Sequence, residues 1–235
     1  MRTVILHYHL FKNAGTSVDH VLRRNFPGGW ISAEFPGNGG NNTADVIQWI
    51  KDTPRAIAFS SHTMLGPVPQ IEGMRIVPVV LLRDPVDRIH SAYHFERQQQ
   101  ADTKGAQLAK AHDLTGYVNA RLAINGDRQC RNFQTARLAS MMPGDAPERA
   151  RAVEATQLIQ RLGVLGLVPD FRAAMAQLSA RVSRTLGPLD IPDVRANRAA
   201  GTRAPLAPHL LDQLVAENGD DLALLDHIRR QSRAA

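Results

Sequence analysis

Cysteine is nearly absent from this chain, and Cys130 alone cannot close an internal disulfide. Neither a disulfide scaffold nor a structural zinc cluster is therefore expected. No run of about 20 apolar residues is present, which excludes a helical membrane span. Aromatic residues are scarce, at 5%, so core packing is the default role for each. Lysine is scarce as well: the basic residues number 28, and only Lys12, Lys51, Lys104 and Lys110 are lysines. The arginine excess provides rigid donor forks suited to planar anions, and gives a formal charge of +6. The opening MRTVILHYHLFKNAG holds two histidines in a short apolar run and passes straight into a patterned motif. It does not read as a signal peptide, and a soluble cytoplasmic protein is expected. What is present, 235 residues with 43% hydrophobic content, suits a single domain over 1–235 with a substantial core.

Thr3–Leu6 is β-prone and predicts a buried strand reaching about His9, followed by a turn and a helix with Val18, Val21 and Leu22 on one face. Residues 27–43 are rich in glycine and asparagine and predict a long loop. A short helix is expected over 44–51 and a strand over 56–59. The run 75–82 is almost continuously apolar, as in a central parallel strand covered on both faces. Pro78 is awkward there, so either the strand starts after it or a bulge accommodates it. Helices are predicted over 85–100, 112–124, 130–141, 146–161 and 170–185, with a short strand at 164–168. Two more helices are expected near 207–217 and 220–230. The pattern indicates an α/β fold: a P-loop-like three-layer sandwich with a central parallel sheet flanked by helices and a helix-rich C-terminal half.

Two segments carry chemistry. Lys12–Asn13–Ala14–Gly15–Thr16–Ser17 lies where a strand turns into a helix. Backbone N–H groups at such a helix start, with a lysine and two hydroxyls, make a seat for phosphate or sulfate. The bland alternative is a capped turn with an exposed lysine. The order differs from the nucleoside-triphosphatase loop, in which lysine follows the glycines, and no matching acidic strand end for Mg²⁺ is evident. The second segment, Arg83–Asp84–Pro85–Val86–Asp87–Arg88–Ile89–His90–Ser91, closes the strongest strand. Arg83 at the strand's carboxyl end and Ser91 two turns into the helix could share an anion. Arg83 could equally pair with Asp84 or Asp87 on the surface.

Together the two segments resemble the cofactor-binding elements of sulfotransferases that use 3′-phosphoadenosine 5′-phosphosulfate (PAPS). The resemblance is to the heparan 2-O-sulfotransferase type and its bacterial homologues. His9–Ser17 is similar to H-I-P-K-T-A-G-T-S, with Phe11 for proline and Asn13 for threonine; Leu82–Tyr93 is similar to L-R-D-P-V-E-R-x-x-S-x-Y. Ser61–His62 with Gly66, and Asn132–Ala139, resemble further elements of the family more weakly. The resemblance implies that Lys12 and the loop through Ser17 grip the 5′-phosphosulfate, and that Arg83 and Ser91 bind the 3′-phosphate. It also implies that His62 is the general base, with His9 as runner-up, and that Arg203, with Arg195 and Arg198, belongs to a segment closing over the nucleotide. His9, Asn132, Gln134 and Arg137 are candidates for the acceptor pocket.

The expected reaction is sulfuryl transfer from PAPS to a hydroxyl, or secondarily an amine, of a carbohydrate, glycolipid or small-molecule acceptor, releasing 3′-phosphoadenosine 5′-phosphate (PAP). A sulfuryl group carries less charge than a phosphoryl group, so lysine and backbone donors could suffice and no metal is expected. The other enzyme reading is a P-loop-like nucleotide-dependent kinase; a non-catalytic PAP- or anion-binding homologue is the third. No helix-turn-helix, basic zipper or aromatic–basic interleaving points to nucleic acid.

Overall fold

The computed structural model describes residues 1–37, 40–193 and 206–234, with side chains through residue 231. Arg195, Arg198 and Arg203, expected in a closing segment over 187–205, lie outside the described residues. In chain order the elements are β1 (Arg2–Tyr8), α1 (Gly15–Asn25), β2 (Trp30–Ser32), α2 (Thr43–Asp52), β3 (Ala58–Ser61) and β4 (Met74–Leu82). Helices α3 (Pro85–Gln98), α4 (Lys104–Ala111), α5 (Leu114–Leu122), α6 (Phe133–Ala139) and α7 (Glu148–Leu162) follow. The chain continues with β5 (Val164–Leu167), α8 (Phe171–Leu186), α9 (Pro208–Glu217) and α10 (Gly219–Ala234). The five strands form one parallel sheet in the order β2-β3-β1-β4-β5. This is the α/β architecture expected, with a helix-rich C-terminal half.

The chain divides into two compact units. The first comprises Met1–Leu82 and the described part of Arg137–Arg198, and holds the sheet. Its strands are apolar on both faces because each face is covered by helices. Ile5, Val77, Val79 and Leu81 pack with Val18, Val21 and Leu22 of α1 and with Phe171, Met175, Leu178 and Val182 of α8. Alternation along the strands turns Val4, Leu6, Val80 and Leu82, all buried, to the opposite face. Helix α7 packs on β4 and β5.

Pro78 lies within β4, with no delay of the strand. It pairs in register with Leu6, while pairing to β5 begins one residue later at Val79. Gly163, just before β5, permits the close approach, since a Cβ there would fall 2.0 Å from the Pro78 carbonyl oxygen.

The second unit comprises Arg83–Ala136 and the described part of Ala199–Ala235. Asp84 caps α3 through the Asp87 N–H at 3.1 Å, with Pro85 in the first turn, as its sequence predicts. Ile89, Tyr93, Ala109, Tyr117, Val118, Cys130, Leu210 and Leu214 form its core. Tyr117 donates to Glu96 at 2.6 Å, and Arg121 bridges Glu96 and Asp127, both at 2.7 Å. Strand β2 and helix α4 were not expected from sequence. Among the described residues no helix is long and apolar enough to cross a membrane.

Candidate active site

The switch point of the sheet falls between β1 and β4, because the chain leaves β1 towards β2 and β3 and leaves β4 towards β5. Ligands of open α/β sheets gather beyond the carboxyl ends of strands at such a point. The loop after β1 begins at that point. Lys12 (φ 63°) and Ala14 (φ 59°) are both left-handed, a conformation uncommon in residues other than glycine. Left-handed residues in such a turn make successive N–H groups converge into an anion-binding concavity. Ala14 occupies the N-cap of α1 without a side-chain cap, so the first N–H groups of the helix, at Gly15 and Thr16, have no carbonyl ahead of them. Thr16 is exposed and Ser17 is buried. Asn13 anchors the loop to the sheet, its Nδ2 donating to the Leu81 carbonyl at 2.8 Å.

Strand alternation explains the rest of the site. Ile5 and Ala58, paired in register, share the α1 face of the sheet. Continuing with period two, His7 and Ser60 fall on that face, followed by His9 and His62 past the strand ends. Asp19, one turn into α1, returns over them. His7 Nδ1 lies 2.9 Å from Asp19 Oδ1 and 2.9 Å from Ser60 Oγ, and His9 Nδ1 lies 3.0 Å from Asp19 Oδ2. Asp19 is one of two residues of this cluster, with Glu34, that sequence reasoning missed. Its signal was a His-x-His alternation at the end of a strand whose following helix carries one buried acid.

Burial would raise the Asp19 pKa, but hydrogen bonds from His7 and His9 hold it well below the usual carboxylate range. Burial pushes the pKa of His9 down, more than its bond to Asp19 pulls it up. Gly15 lets α1 begin against the His9 ring: a Cβ there would sit 2.0 Å from Cδ2.

His62 lies tilted against His9, with ring centroids 3.8 Å apart. Its Nδ1 is 2.7 Å from Glu34 Oε1, and both side chains are half-exposed. Glu34 is clamped in turn by Thr63, whose hydroxyl donates to Oε2 at 2.8 Å. Burial raises the Glu34 pKa, and the hydrogen bonds from His62 and Thr63 overcome it, giving a net lowering. A carboxylate can only accept, so Glu34 holds the His62 proton on Nδ1 and leaves Nε2 as the acceptor. Arg137 closes this cluster by donating to the carbonyls of His62, at 2.6 Å, and Met64, at 3.1 Å. Its pKa is lowered by burial.

The remaining candidates belong to the second unit. Both ends of the buried Gln134 amide are spent on Arg83, accepting from its N–H and donating to its carbonyl at 2.8 Å each. Gln134 thus holds the Arg83 backbone. The Asn132 side chain accepts the N–H groups of Asp220 and Asp221 at 3.1 and 3.2 Å, fastening the start of α10. Ser91 is half-buried in the second turn of α3.

One expectation is overturned. No metal was anticipated, yet His7, His9 and Asp19 form a buried set able to hold a metal ion, with one ligand atom from each lying within 4.8 Å of the others. The sequence obscured this because one donor lies on a strand, one just past its end and the third on a helix, with no recognised metal-ligand spacing.

Fold and geometry define an α/β protein with a loop of left-handed residues at the switch point of a parallel sheet and a histidine–carboxylate cluster beside it. No family model matches the chain. The chain is 34% identical over 216 residues to a protein of Archaeoglobus fulgidus described as an uncharacterized protein, covering 89% of this chain and 85% of the other. It belongs to the same family as that protein.

Proposed function

We propose that the chain is a sulfotransferase, moving a sulfuryl group from PAPS to a hydroxyl of a carbohydrate, glycolipid or small-molecule acceptor in the cytoplasm and releasing PAP. The observation that carries this reading is the loop after β1. Its left-handed Lys12 and Ala14 and the uncapped start of α1 fit a doubly anionic phosphosulfate. That loop also carries the motif resemblance. When bound, PAPS supplies the sulfuryl group, whose S–O bond to the 5′-phosphate breaks as the acceptor oxygen bonds to sulfur.

In this reading, Lys12 places its ammonium where negative charge grows on the leaving oxygen, and Thr16, Ser17 and the loop N–H groups hold the 5′-phosphate. His62 receives the acceptor proton at Nε2, and Glu34 orients the ring by holding the proton of the neutral imidazole on Nδ1. Arg83 and Ser91 take the 3′-phosphate on the motif resemblance, and Gln134 supports Arg83 through its backbone.

Titration calorimetry with PAP and with ATP, followed by mass spectrometry of an acceptor panel incubated with PAPS, tests the proposal. PAP binding and a sulfated product are expected, with Lys12→Ala slowing turnover by about 100-fold or more. Absence of PAP binding sinks the proposal, and ATP binding without PAP binding would move the reading to a kinase.

A further inference from the structure

We propose that His7, His9 and Asp19 bind one divalent transition ion of the zinc class, as a clamp between β1 and α1 directly behind the anion loop. The inference is independent of the sulfotransferase reading. Each imidazole presents Nδ1 to a different oxygen of the same carboxylate, at 2.9 and 3.0 Å, and one ligand atom from each of the three residues lies within 4.8 Å of the others. Ser60 Oγ adds an oxygen at 2.9 Å from His7 Nδ1. All three proposed ligands are at least nine-tenths buried, His7 being 1% exposed and His9 and Asp19 each 7%.

Two imidazole nitrogens and one carboxylate oxygen form a borderline set that favours zinc, cobalt or nickel. Magnesium and calcium favour all-oxygen sites. Ion binding would replace the protons that the imidazoles now share with Asp19, moving each histidine to its Nε2–H form without changing its charge. The position gives the ion a purpose. The His9 ring packs against Gly15, the first residue of α1, so fixing His9 and Asp19 to one ion fixes the start of the helix from which the loop N–H groups project.

The full chain is stripped with chelator, dialysed and titrated with ZnCl₂ by calorimetry. CoCl₂ is used in parallel for its visible absorption, and MgCl₂ as a control. One zinc per chain, an intense tetrahedral cobalt band and no response to millimolar magnesium are expected. A hundredfold excess of zinc over its dissociation constant should raise the folded-to-unfolded ratio about a hundredfold in thermal melts. Asp19→Asn and His9→Gln should each weaken zinc at least about tenfold, while Lys12→Ala and His62→Gln leave it unchanged. Failure of the wild-type chain to take up zinc overturns the proposal. So does uptake that survives both ligand substitutions, and loss of uptake in His62→Gln would show a different ligand set. If Asp19→Asn does not fold, His9→Gln and the wild-type melts decide.

Discussion

Replacing Gly15 with alanine tests how closely the start of α1 and the histidine cluster depend on each other. The added Cβ would lie 2.0 Å from His9 Cδ2, 2.2 Å from Nε2 and 2.5 Å from Cγ. Carbon atoms in contact sit about 3.5–4 Å apart, so the ring or the helix must move by roughly 1.5 Å. The ring has little freedom, being bonded to Asp19 at 3.0 Å and held against His62 with centroids 3.8 Å apart. A shift of that size breaks the hydrogen bond to an ionised carboxylate, costing about 1.5–3 kcal/mol. Overpacking adds about 1–3 kcal/mol, and the better helix propensity of alanine returns at most about 1 kcal/mol. The net expectation is a loss of about 2–5 kcal/mol, a large share of the ~5–15 kcal/mol by which domains are stable. Urea unfolding read by circular dichroism measures it, with PAP titration alongside, because the same movement tilts the loop N–H groups. The double substitution Gly15→Ala/His9→Ala removes the obstructing ring and should destabilise by less than the sum of the two single changes, with a coupling of about 1 kcal/mol or more. A Gly15→Ala protein as stable as the parent, or strictly additive behaviour, would refute the reasoning.

Glu34→Gln should leave folding intact and lower kcat by about tenfold with little change in KM, because the amide no longer holds the His62 tautomer; His62→Ala should cost about 100-fold. Equal effects of Glu34→Gln on KM and kcat in steady-state assays would argue for a binding role. Gly163→Ala sets a Cβ 2.0 Å from a backbone oxygen that no rotamer change can move, so a loss of about 2–3 kcal/mol or more in urea midpoints is expected, and an unchanged midpoint would contradict it. Burial pushes the Cys130 thiol up to about 12, from an ordinary value of 9.0, despite the pull of Arg88 and Arg121. Because the folded value is the higher one, this contribution to stability is intact below about pH 9 and is lost as pH rises towards 12. A thiol reagent at pH 8 should therefore label Cys130 only at the rate of unfolding, and rapid labelling of the native chain would show the site to be open.

Much of the fold was legible because it is written in local patterns. The apolar run 74–82, the period of Val18, Val21 and Leu22, and the Asp84–Pro85 cap each declare their element through side-chain spacing alone. Strand β2 was hidden because Trp30–Ser32 is only three residues long and sits among glycines, paired solely through β3. Helix α4 is only eight residues long and packs on α3 and α5. Lys12–Ser17 and His62 were singled out by motif. Glu34 and Asp19 were not, since each acquires its role from a partner distant in sequence, His62 and the His7–His9 pair.

The sequence by itself determined an α/β chain without an internal disulfide that opens on a strand, a turn and a helix start, because chain-local geometry and hydrogen bonding suffice to make them. Tertiary structure decided how the histidines are used. Parallel pairing set His7 beside Ser60, and α1 laid Asp19 across both imidazoles. Contacts between residues 10 to 53 positions apart depend on register and helix placement. Those are set by burial of the whole sheet face, which no local stretch of sequence encodes.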